Sequence, residues 1–242
     1  MTGASRGLGR AIALGLAAAG ARMTLGSRQV AHLAGVVEAI RSGGGEAHAV
    51  SIDITDSDQC RALVADAKRH WERIDILVCN AATNILGMAA TMPDEQWKRV
   101  IDTELSGYYY LARAVYPVMA SQKSGSIIMV SANSSLVGYA ELVGVAVAKG
   151  GVDMMARNLA VEWGRDGIRV NTINPGWTEH VPEDGGEVYS DTSDAQRITN
   201  NGRVALYPAG LSFFPYAARK YQALGHNLPR GSGVCRSLVG WA

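Results

Sequence analysis

The chain has 242 residues, 48% of them hydrophobic, and a formal net charge of +1. That length suits one α/β domain with a sizeable core, and the near-neutral charge gives no sign of a nucleic-acid surface or an acidic partner. No apolar run reaches the ~20 residues that a membrane span needs, and the start "MTGASRGLGR" lacks the apolar core of a signal peptide. A soluble cytoplasmic protein is expected.

The cysteines and histidines are few and scattered. Cys60, Cys79 and Cys235 form no CxxC pair, and such a sparse, odd count suits a reducing compartment. The five histidines fall into no ligand pattern either. No metal site is predicted.

Short apolar runs alternate with longer helical patterns along most of the chain. The predicted strands are 21–26, 46–53, 74–79, 126–131 and 168–173. They are mostly apolar on both faces, which is typical of strands buried between two helical layers. The predicted helices are 8–19, 29–42, 56–71, 94–120 and 140–163. This alternation predicts an α/β fold with a three-layer, Rossmann-like, doubly wound parallel sheet.

Two regions depart from the alternation. The chain opens directly at "TGASRGLG", so the strand expected before such a loop is largely missing, and residues 1–3 are too short to replace it. Because that strand would lie at the centre of a doubly wound sheet, its neighbours must close up or leave backbone groups unpaired. Beyond about residue 182 the pattern becomes irregular. We expect residues 1–242 to form one domain, with 182–242 as its irregular C-terminal region.

The opening "TGASRGLGRAIA" places Gly3, Gly7 and Gly9 before an alanine-rich helix. Glycine permits a tight turn and a close backbone approach. A helix N-terminus presents free N–H groups and partial positive charge to a pyrophosphate. The alternative is that these glycines only form a turn. The position of the loop at the head of an α/β alternation disfavours that alternative.

Ser27 and Arg28 follow the first predicted strand, at the position that reads the ribose 2′ group in dinucleotide folds. An acid there would accept from a 2′-hydroxyl, whereas an arginine suits a 2′-phosphate. No acid is present, and Arg6 offers a second cation, so NADP is favoured, with NAD left open. The alternative is that Arg28 is an ordinary surface residue.

Taken together, the motifs resemble those of the short-chain dehydrogenase/reductase family. They are "TGASRGLG", "DIT" at Asp53, "CNAA" at 79–82 in place of the usual NNAG, the lysine of "AVAKGG", and "GIRVNTINPGW" at 167–177. The resemblance covers roughly residues 2–180, with the five motifs in the family's order and spacing. It implies a nicotinamide-dependent oxidoreductase acting on a small carbonyl or alcohol, and a substrate-covering segment within the C-terminal region.

The resemblance also implies which residues would meet the cofactor. They are Gly3, Ser5, Arg6, Gly7, Leu8, Gly9, Ser27, Arg28, Asp53, Ile54, Asn80, Ala81, Lys149, Pro175, Gly176 and Thr178. Asp53 would lie against the adenine, Asn80 and Ala81 would support a ribose, and Pro175 and Gly176 would flank the nicotinamide. Lys149 would hold the nicotinamide ribose hydroxyls.

Three of the family's four catalytic positions carry other side chains. The tyrosine four residues before Lys149 is Val145, the serine is Ala132, and the asparagine of the preceding helix is Glu104. Valine and alanine cannot exchange a proton. The candidate catalytic set is therefore Lys149, Glu104 and Ser131.

Other hydroxyls near that position stay open as replacements, namely those of Ser134, Ser135 and Tyr139. Each has a structural alternative, since serines after a strand often bond to turn backbone, and Glu104 with Lys149 could form only a buried ion pair. We expect Glu104 and Lys149 to lie within reach of each other.

Two functions follow as alternatives: an NADP(H)-dependent oxidoreductase with rearranged acid–base groups, or a catalytically impaired nucleotide-binding protein of the same fold. The long predicted helices 94–120 and 140–163 carry apolar residues on more than one face, such as Leu111 and Met154. One face would cover the sheet and the other would meet a second copy. A homodimer or homotetramer is expected, and the resemblance implies pairing through the same helices.

Overall fold

The computed structural model describes residues 1–83 and 85–176, which fold as parallel strands flanked by helices. The strands are β1 (Met23–Ser27), β2 (Ala47–Ser51), β3 (Ile76–Cys79), β4 (Gly125–Val130) and β5 (Ile168–Ile173). The main helices are α1 (Gly7–Ala18), α2 (Ala34–Ser42), α3 (Ser57–Trp71), α4 (Asp94–Ile101), α5 (Gly107–Gln122) and α6 (Val143–Trp163). Thr178 and the predicted C-terminal region 182–242 lie outside the described residues.

All pairings between these strands are parallel. β1 pairs with β2, and β4 lies between β3 and β5. The strands predicted at 74–79 and 126–131 are adjacent, in a register that sets Ile76 opposite Ser126. The predicted Rossmann-like α/β class is confirmed.

Residues 1–3 lie between β1 and β3, where a central strand would run. Thr2 forms a parallel bridge with Gly26, and its N–H donates to the Val78 carbonyl at 3.1 Å. The Gly26 N–H donates to the Met1 carbonyl at 2.8 Å. This short segment therefore links the two strand groups at one end only, which confirms the expectation that residues 1–3 are too short for a full strand.

Helices pack on both faces of the strands. Met23 and Leu25 of β1 are buried with residues of α1 and α2. Thr24, which points to the other face, accepts a hydrogen bond from the Trp71 ring N–H of α3 at 2.8 Å. A larger core lies on that second face, where α3, α5 and α6 cover Leu77 of β3 and the inward residues of β4 and β5.

Three helices differ from their predicted extents. The predicted helix 29–42 opens with a 3₁₀ turn, Val30–Leu33, so that α2 begins only at Ala34. The predicted helix 94–120 is divided into α4 and α5 by a π-helical turn, Asp102–Ser106. The predicted helix at 140 begins only at Val143, because Glu141 has φ 66°, a left-handed conformation incompatible with a helix interior. Hydrophobic periodicity predicts neither the π-helical turn nor the late start of α6, because each depends on the backbone conformation of a single turn.

No helix within residues 1–83 and 85–176 has the length and apolar character needed to cross a lipid bilayer.

Candidate active site

The glycine-rich loop is fastened to the end of β3 through Asn80. The Asn80 side-chain amide donates to the Gly3 carbonyl at 2.8 Å. The Thr2 hydroxyl oxygen accepts from the backbone N–H groups of Asn80 and Ala81 at 3.4 and 3.5 Å. These contacts fix the loop against the strand whose C-terminal end borders the ligand crevice of such folds.

The packing of this loop requires glycine at two positions. A β-carbon on Gly3, which has φ 69°, would lie 2.7 Å from the Ala81 Cα. One on Gly9 would collide with the Gly3 carbonyl and approach the Asn80 amide nitrogen to 2.5 Å. The loop, with Ser5 and Leu8 half-buried in it, thus presents its backbone in the tight form that a pyrophosphate cradle needs.

The first turn of α1 is open to an anion. Arg6 occupies the N-cap position and makes no side-chain capping hydrogen bond. The leading N–H groups of a helix lack intrahelical acceptors and carry partial positive charge. The predicted phosphate-binding residues Gly7, Leu8 and Gly9 form this turn, so the described residues fit a dinucleotide pyrophosphate here.

Two arginines stand near the start of the fold without a carboxylate partner. Arg6 and Arg28 are exposed, and across residues 1–83 and 85–176 neither guanidinium is held in an ion pair. The hydroxyl oxygen of Ser27, at the end of β1, accepts a hydrogen bond from the nearby Gln29 N–H at 3.3 Å. The end of β1 therefore offers cationic and hydroxyl groups and no acid.

Asp53 and Ile54 follow β2 in a tight turn. The Asp53 Oδ1 accepts from the Thr55 backbone N–H at 3.0 Å and from its hydroxyl at 2.8 Å. Ile54 is buried, and a β-carbon on Gly107 would lie 2.8 Å from its side chain. Asp53 is thus held in one orientation, half-buried, beside the rigid contact between Ile54 and α5.

Lys149 is the buried charged residue of α6. Its ammonium donates to the Val130 carbonyl at 2.8 Å and to the Tyr108 hydroxyl at 3.3 Å, and it lies 3.2 Å from Glu104 Oε2. The Tyr108 ring also faces this ammonium, with its centroid 4.8 Å away. Only 3% of Lys149 is exposed. All three ammonium protons have protein acceptors.

Glu104, the acidic partner of Lys149, is buried and lies in the π-helical turn. Its Oε1 accepts from the Thr83 backbone N–H at 2.9 Å and from the Thr83 hydroxyl at 2.8 Å. Glu104 is 1% exposed. The expected proximity of Glu104 and Lys149 is confirmed, and the carboxylate also ties α6 to the loop after β3. π-helical turns often occur at functional sites.

Burial controls the electrostatics of this cluster. Burial lowers the pKa of Lys149, and the neighbouring Glu104 carboxylate opposes that shift. Burial also raises the pKa of Tyr108 well above its usual value, with smaller contributions from Cys79 and Glu104. The Tyr108 hydroxyl, which donates to Val130 O at 3.3 Å, is therefore held neutral.

Two hydroxyls near position 132, those of Ser131 and Ser135, are engaged in the fold, whereas the Ser134 hydroxyl has no hydrogen-bond partner among the described residues. Ser131 is buried, and its hydroxyl donates to the Lys149 backbone carbonyl at 3.2 Å. Ser135 donates to Asp153 Oδ2 at 2.5 Å, and Asn174 donates to the same oxygen at 2.9 Å. These contacts join β4, β5 and α6 behind Ala132. Ser134 is buried as well.

Asn133 connects the loop after β4 with the segment after β5. Its backbone N–H donates to the Pro175 carbonyl at 2.9 Å, and its side-chain amide donates to the Tyr139 hydroxyl at 3.0 Å. A β-carbon on Gly176 would lie 3.7 Å from that amide nitrogen. Pro175, Gly176, Asn133 and Tyr139 thus meet at the carboxyl ends of β4 and β5. Thr178 lies beyond the described residues.

Sequence reasoning brought most of these residues together and missed three. Thr83 and Tyr108, which hold Glu104 and Lys149, were not predicted, and neither was Asn133. A signal existed for Tyr108, because it follows Glu104 by four residues and so faces the same side of a helix. Thr83 follows the "CNAA" motif directly, but nothing in the sequence links it to a carboxylate 21 residues away.

The described residues hold no cluster of histidine, cysteine and acidic side chains suited to a metal ion. Cys60 and Cys79 are buried free thiols.

Comparison with known proteins identifies the family. The family model for short chain dehydrogenase matches residues 1–184. The chain is 35% identical over 178 residues to a 3-oxoacyl-[acyl-carrier-protein] reductase of Synechocystis, which spans 73% of this chain and 72% of that protein. It is 34% identical over 180 residues to a 2-dehydro-3-deoxy-D-gluconate 5-dehydrogenase of Pseudoalteromonas atlantica, over 74% of this chain and 71% of the other.

A solved structure of the same family has a similar fold. A putative short-chain alcohol dehydrogenase of Sinorhizobium meliloti superposes with a TM-score of 0.71 at 34% identity, over 73% of this chain and 70% of that one. With the family match over residues 1–184, these similarities show that the chain belongs to the short-chain dehydrogenase/reductase family.

Proposed function

We propose that this protein is an NADP(H)-dependent oxidoreductase that interconverts a small carbonyl compound and its alcohol. Membership of the short-chain dehydrogenase/reductase family gives the oxidoreductase class and a nicotinamide cofactor. Relatives named as a 3-oxoacyl reductase and a gluconate dehydrogenase support a carbonyl or hydroxyl group as the reacting centre. A cytoplasmic setting is part of the proposal, supported by the free thiols of Cys60 and Cys79.

The proposal of NADP(H) rather than NAD(H) rests on the positive charge at the end of β1. Arg28 and Arg6 are exposed cations near the phosphate loop, and no acid ends the strand. A hydrogen bond between a guanidinium and a phosphate is roughly twice as strong as one between neutral groups. A 2′-phosphate would therefore gain more here than a 2′-hydroxyl.

The other cofactor contacts follow the path of the crevice. We assign the pyrophosphate to the glycine loop, the adenine side to Asp53 and Ile54, and a ribose to Asn80 and Ala81. We assign the nicotinamide side to Pro175 and Gly176, and extend it to Thr178. Bound there, the cofactor would supply or accept the hydride, while the protein orients it and keeps water away.

We assign Lys149, Glu104 and Ser131 to the support of this site. Lys149 already donates to three protein acceptors, so a ribose hydroxyl would have to replace its long contact with Tyr108 or share its contact with Glu104. Ser131 fixes the Lys149 backbone through its carbonyl. Glu104 opposes the lowering of the Lys149 pKa by burial and acts as a positioning group.

A second candidate is a nucleotide-binding protein that does not turn over. One observation favours it: Ala132 and Val145 stand where the family has its serine and tyrosine. Neither side chain can exchange a proton, whereas the phosphate loop is complete. This alternative shares the cofactor site with the first and differs only in chemistry.

We also propose a homodimer or homotetramer. On α6, Val147, Met154 and Val161 recur at seven-residue spacing and are 48%, 54% and 84% exposed. Tyr109 of α5 and Trp97 of α4 are exposed as well. An apolar stripe of this kind on a long helix suits burial against a second copy.

The test combines binding with turnover. NADPH and NADH are titrated separately, and the protein is then assayed for NADPH oxidation with 3-oxo esters, aliphatic aldehydes and cyclic ketones. Tighter binding of NADPH than NADH with measurable oxidation supports the first proposal. Binding without oxidation supports the second, and no binding of either nucleotide rejects both.

Arg28→Asp provides the specificity test, with Arg99→Asp on α4 as the matched charge change. We expect Arg28→Asp to weaken NADPH about 10- to 100-fold, the loss of one charge-assisted hydrogen bond, while NADH changes little. Equal weakening of both nucleotides, or the same effect from Arg99→Asp, contradicts the assignment of Arg28.

A further inference from the structure

Asp153 is a buried carboxylate to which the proposed function gives no role. It lies on α6, four residues after Lys149, and is 9% exposed. Within residues 1–83 and 85–176 it forms no ion pair, and its Oδ1 has no hydrogen-bond partner. Burial of a charge without a counter-ion is costly. A carboxylate at this position therefore calls for an explanation.

The other carboxylate oxygen of Asp153 holds two side chains that come from different parts of the sheet. Oδ2 accepts from the Ser135 hydroxyl at 2.5 Å and from the Asn174 side-chain amide at 2.9 Å. Ser135 belongs to the loop after β4, and Asn174 follows β5 directly. Hydrogen bonds to an ionised acceptor are roughly twice as strong as those between neutral groups. One oxygen atom thus joins the carboxyl ends of β4 and β5 to α6.

Asn174 transmits this contact to the two residues that follow it. Its amide nitrogen also lies 2.9 Å from the Ser135 hydroxyl oxygen and 3.3 Å from the Ala132 carbonyl oxygen. Because a proline comes next, the Asn174 backbone is restricted to extended conformations. A fixed side chain on a restricted backbone determines the path of Pro175 and Gly176, the residues to which we assign the nicotinamide side.

The segment 174–176 is thereby fixed relative to Lys149. The Asn133 backbone N–H, which donates to the Pro175 carbonyl at 2.9 Å, ties the segment to the loop after β4. The contact with Asp153 ties it to α6. Lys149 lies one helical turn before Asp153, so the same helix places the lysine and the segment. Both are assigned to the same end of the cofactor.

We propose that Asp153 is a positioning residue for the nicotinamide side of the cofactor site. It acts through Asn174 rather than by contact with the cofactor. This inference rests on the proposed binding of a nicotinamide dinucleotide and does not depend on turnover. Loss of the carboxylate should loosen the segment 174–176 and weaken the hold on the nicotinamide ring. The pyrophosphate and the 2′-phosphate, assigned to the glycine loop and the end of β1, should be unaffected.

The experiment measures two dissociation constants by calorimetry, one for NADPH and one for 2′-phospho-ADP-ribose, which lacks the nicotinamide ring. The unmodified protein should bind NADPH more tightly than the fragment. In Asp153→Ala, NADPH should bind at least about 5-fold more weakly, which lies within the range that coupled contacts show. The fragment should bind as it does to the unmodified protein. The ratio of the two constants therefore reports on the nicotinamide side alone.

Val152→Ala is the matched control for general destabilisation. Val152 precedes Asp153 on α6 and is fully buried in the hydrophobic core. Its truncation should lower the urea unfolding midpoint, as core truncations do, and leave the ratio of the two dissociation constants unchanged. Asp153→Asn keeps an oxygen that can accept from Ser135 and Asn174, so it should retain more NADPH affinity than Asp153→Ala.

Asn174→Ala gives a second route to the same test and covers the case in which Asp153→Ala does not fold. It should weaken NADPH selectively, as Asp153→Ala does. The double variant should lose little more than either single variant, because the two side chains act through one contact. Additive losses would show that Asp153 does not act through Asn174 and would overturn the proposal.

The outcomes separate this inference from the proposed function. If Asp153→Ala weakens NADPH and the fragment equally, or changes their ratio no more than Val152→Ala does, Asp153 is only structural. The inference then fails and the proposed cofactor binding stands. Equal affinity of the unmodified protein for NADPH and the fragment would also overturn the inference. If the unmodified protein binds neither ligand, the proposed function fails and the inference falls with it.

Discussion

Glu104 Oε2 lies 3.2 Å from Lys149 Nζ, and the two side chains are 1% and 4% exposed. Around them, Thr83 donates twice to the carboxylate, while Val130 and Tyr108 accept from the ammonium. Such a pair is costly to bury and costly to break, since removing one partner leaves an uncompensated charge. The pair therefore joins the loop after β3, the π-helical turn, α5, β4 and α6, whatever it contributes to chemistry.

Glu104→Gln should destabilise the protein by about 3–5 kcal/mol, because the buried Lys149 ammonium would lose its counter-ion. The free energy of urea unfolding measures this loss. Asp102→Asn, two residues away, breaks the exposed pair between Asp102 and Lys98 and should have little effect. Adding Lys149→Met to Glu104→Gln should recover part of the loss. If Glu104→Gln is no more harmful than Asp102→Asn, the pair is not structural.

Gly9→Ala should abolish dinucleotide binding, because its methyl group would collide with the Gly3 carbonyl and the Asn80 amide. Gly15→Ala, in the same helix, has no atom within 4 Å of the added carbon. That control should bind NADPH normally and be stabilised by up to about 1 kcal/mol. Binding is measured by the fluorescence of NADPH and stability by thermal unfolding. Retained affinity in Gly9→Ala would contradict the phosphate-loop assignment.

The strands and the phosphate loop could be predicted from the sequence because each has a local signal. Apolar runs marked all five strands to within two residues, and the glycine spacing marked the loop at Gly3 and Gly9. The contact of Lys149 with Glu104 required a resemblance to supply the three-dimensional relationship. A hydrophobic pattern gives the buried face of α6 but not which residue on another helix meets Lys149.

The features that escaped prediction depend on backbone detail or on distant polar partners. The π-helical turn at Asp102–Ser106 inserts one residue into an otherwise uniform helical pattern, so the sequence shows one helix from 94 to 120. Thr83 contacts Glu104 only because the loop after β3 folds back onto that turn. The catalytic role of Ser131 and the contact of Thr178 with the cofactor stay predictions.

Met154→Glu should shift the protein toward monomer, because the charge would fall in the apolar stripe of α6 that we assign to the interface. Val30→Glu replaces an apolar residue of similar exposure, 40% against 54%, outside the long helices. Sedimentation velocity at micromolar concentration distinguishes the species. A monomeric unmodified protein, or equal dissociation in both variants, would contradict the interface.

Stability should fall as pH rises above about 9, because of Cys79. Burial raises the pKa of its thiol from 9.0 to about 12. Between these values the unfolded thiol loses its proton while the folded thiol keeps it, so the folded state binds more protons and the unfolding free energy decreases. The loss approaches about 1 kcal/mol per pH unit in that window. Comparing urea midpoints at pH 8 and pH 10 measures it, and Cys79→Ser should reduce the slope. An unchanged slope would show that this thiol titrates normally.

Restoring the serine and tyrosine that the family has at 132 and 145 should raise turnover. Val145 precedes Lys149 by one turn on α6, so a tyrosine there would face the same side of the helix. Ala132→Ser would place a hydroxyl directly after the β4 segment that contacts Lys149. We expect Ala132→Ser with Val145→Tyr to raise kcat for NADPH oxidation at least about 10-fold over the unmodified protein, a part of what one general acid contributes.

Val147→Tyr is the matched control for that rescue, because Val147 lies on the exposed side of α6 and 48% of its surface is free. It adds the same side chain to the same helix without reaching the crevice, so kcat should stay at the level of the unmodified protein. Single-turnover oxidation of NADPH separates the chemical step from product release. If the restored variant binds NADPH and gains nothing, Lys149 is held too firmly by Glu104 to support a tyrosine at 145. Adding Glu104→Asn should then release the rate, since the asparagine would leave one ammonium proton free for the ribose.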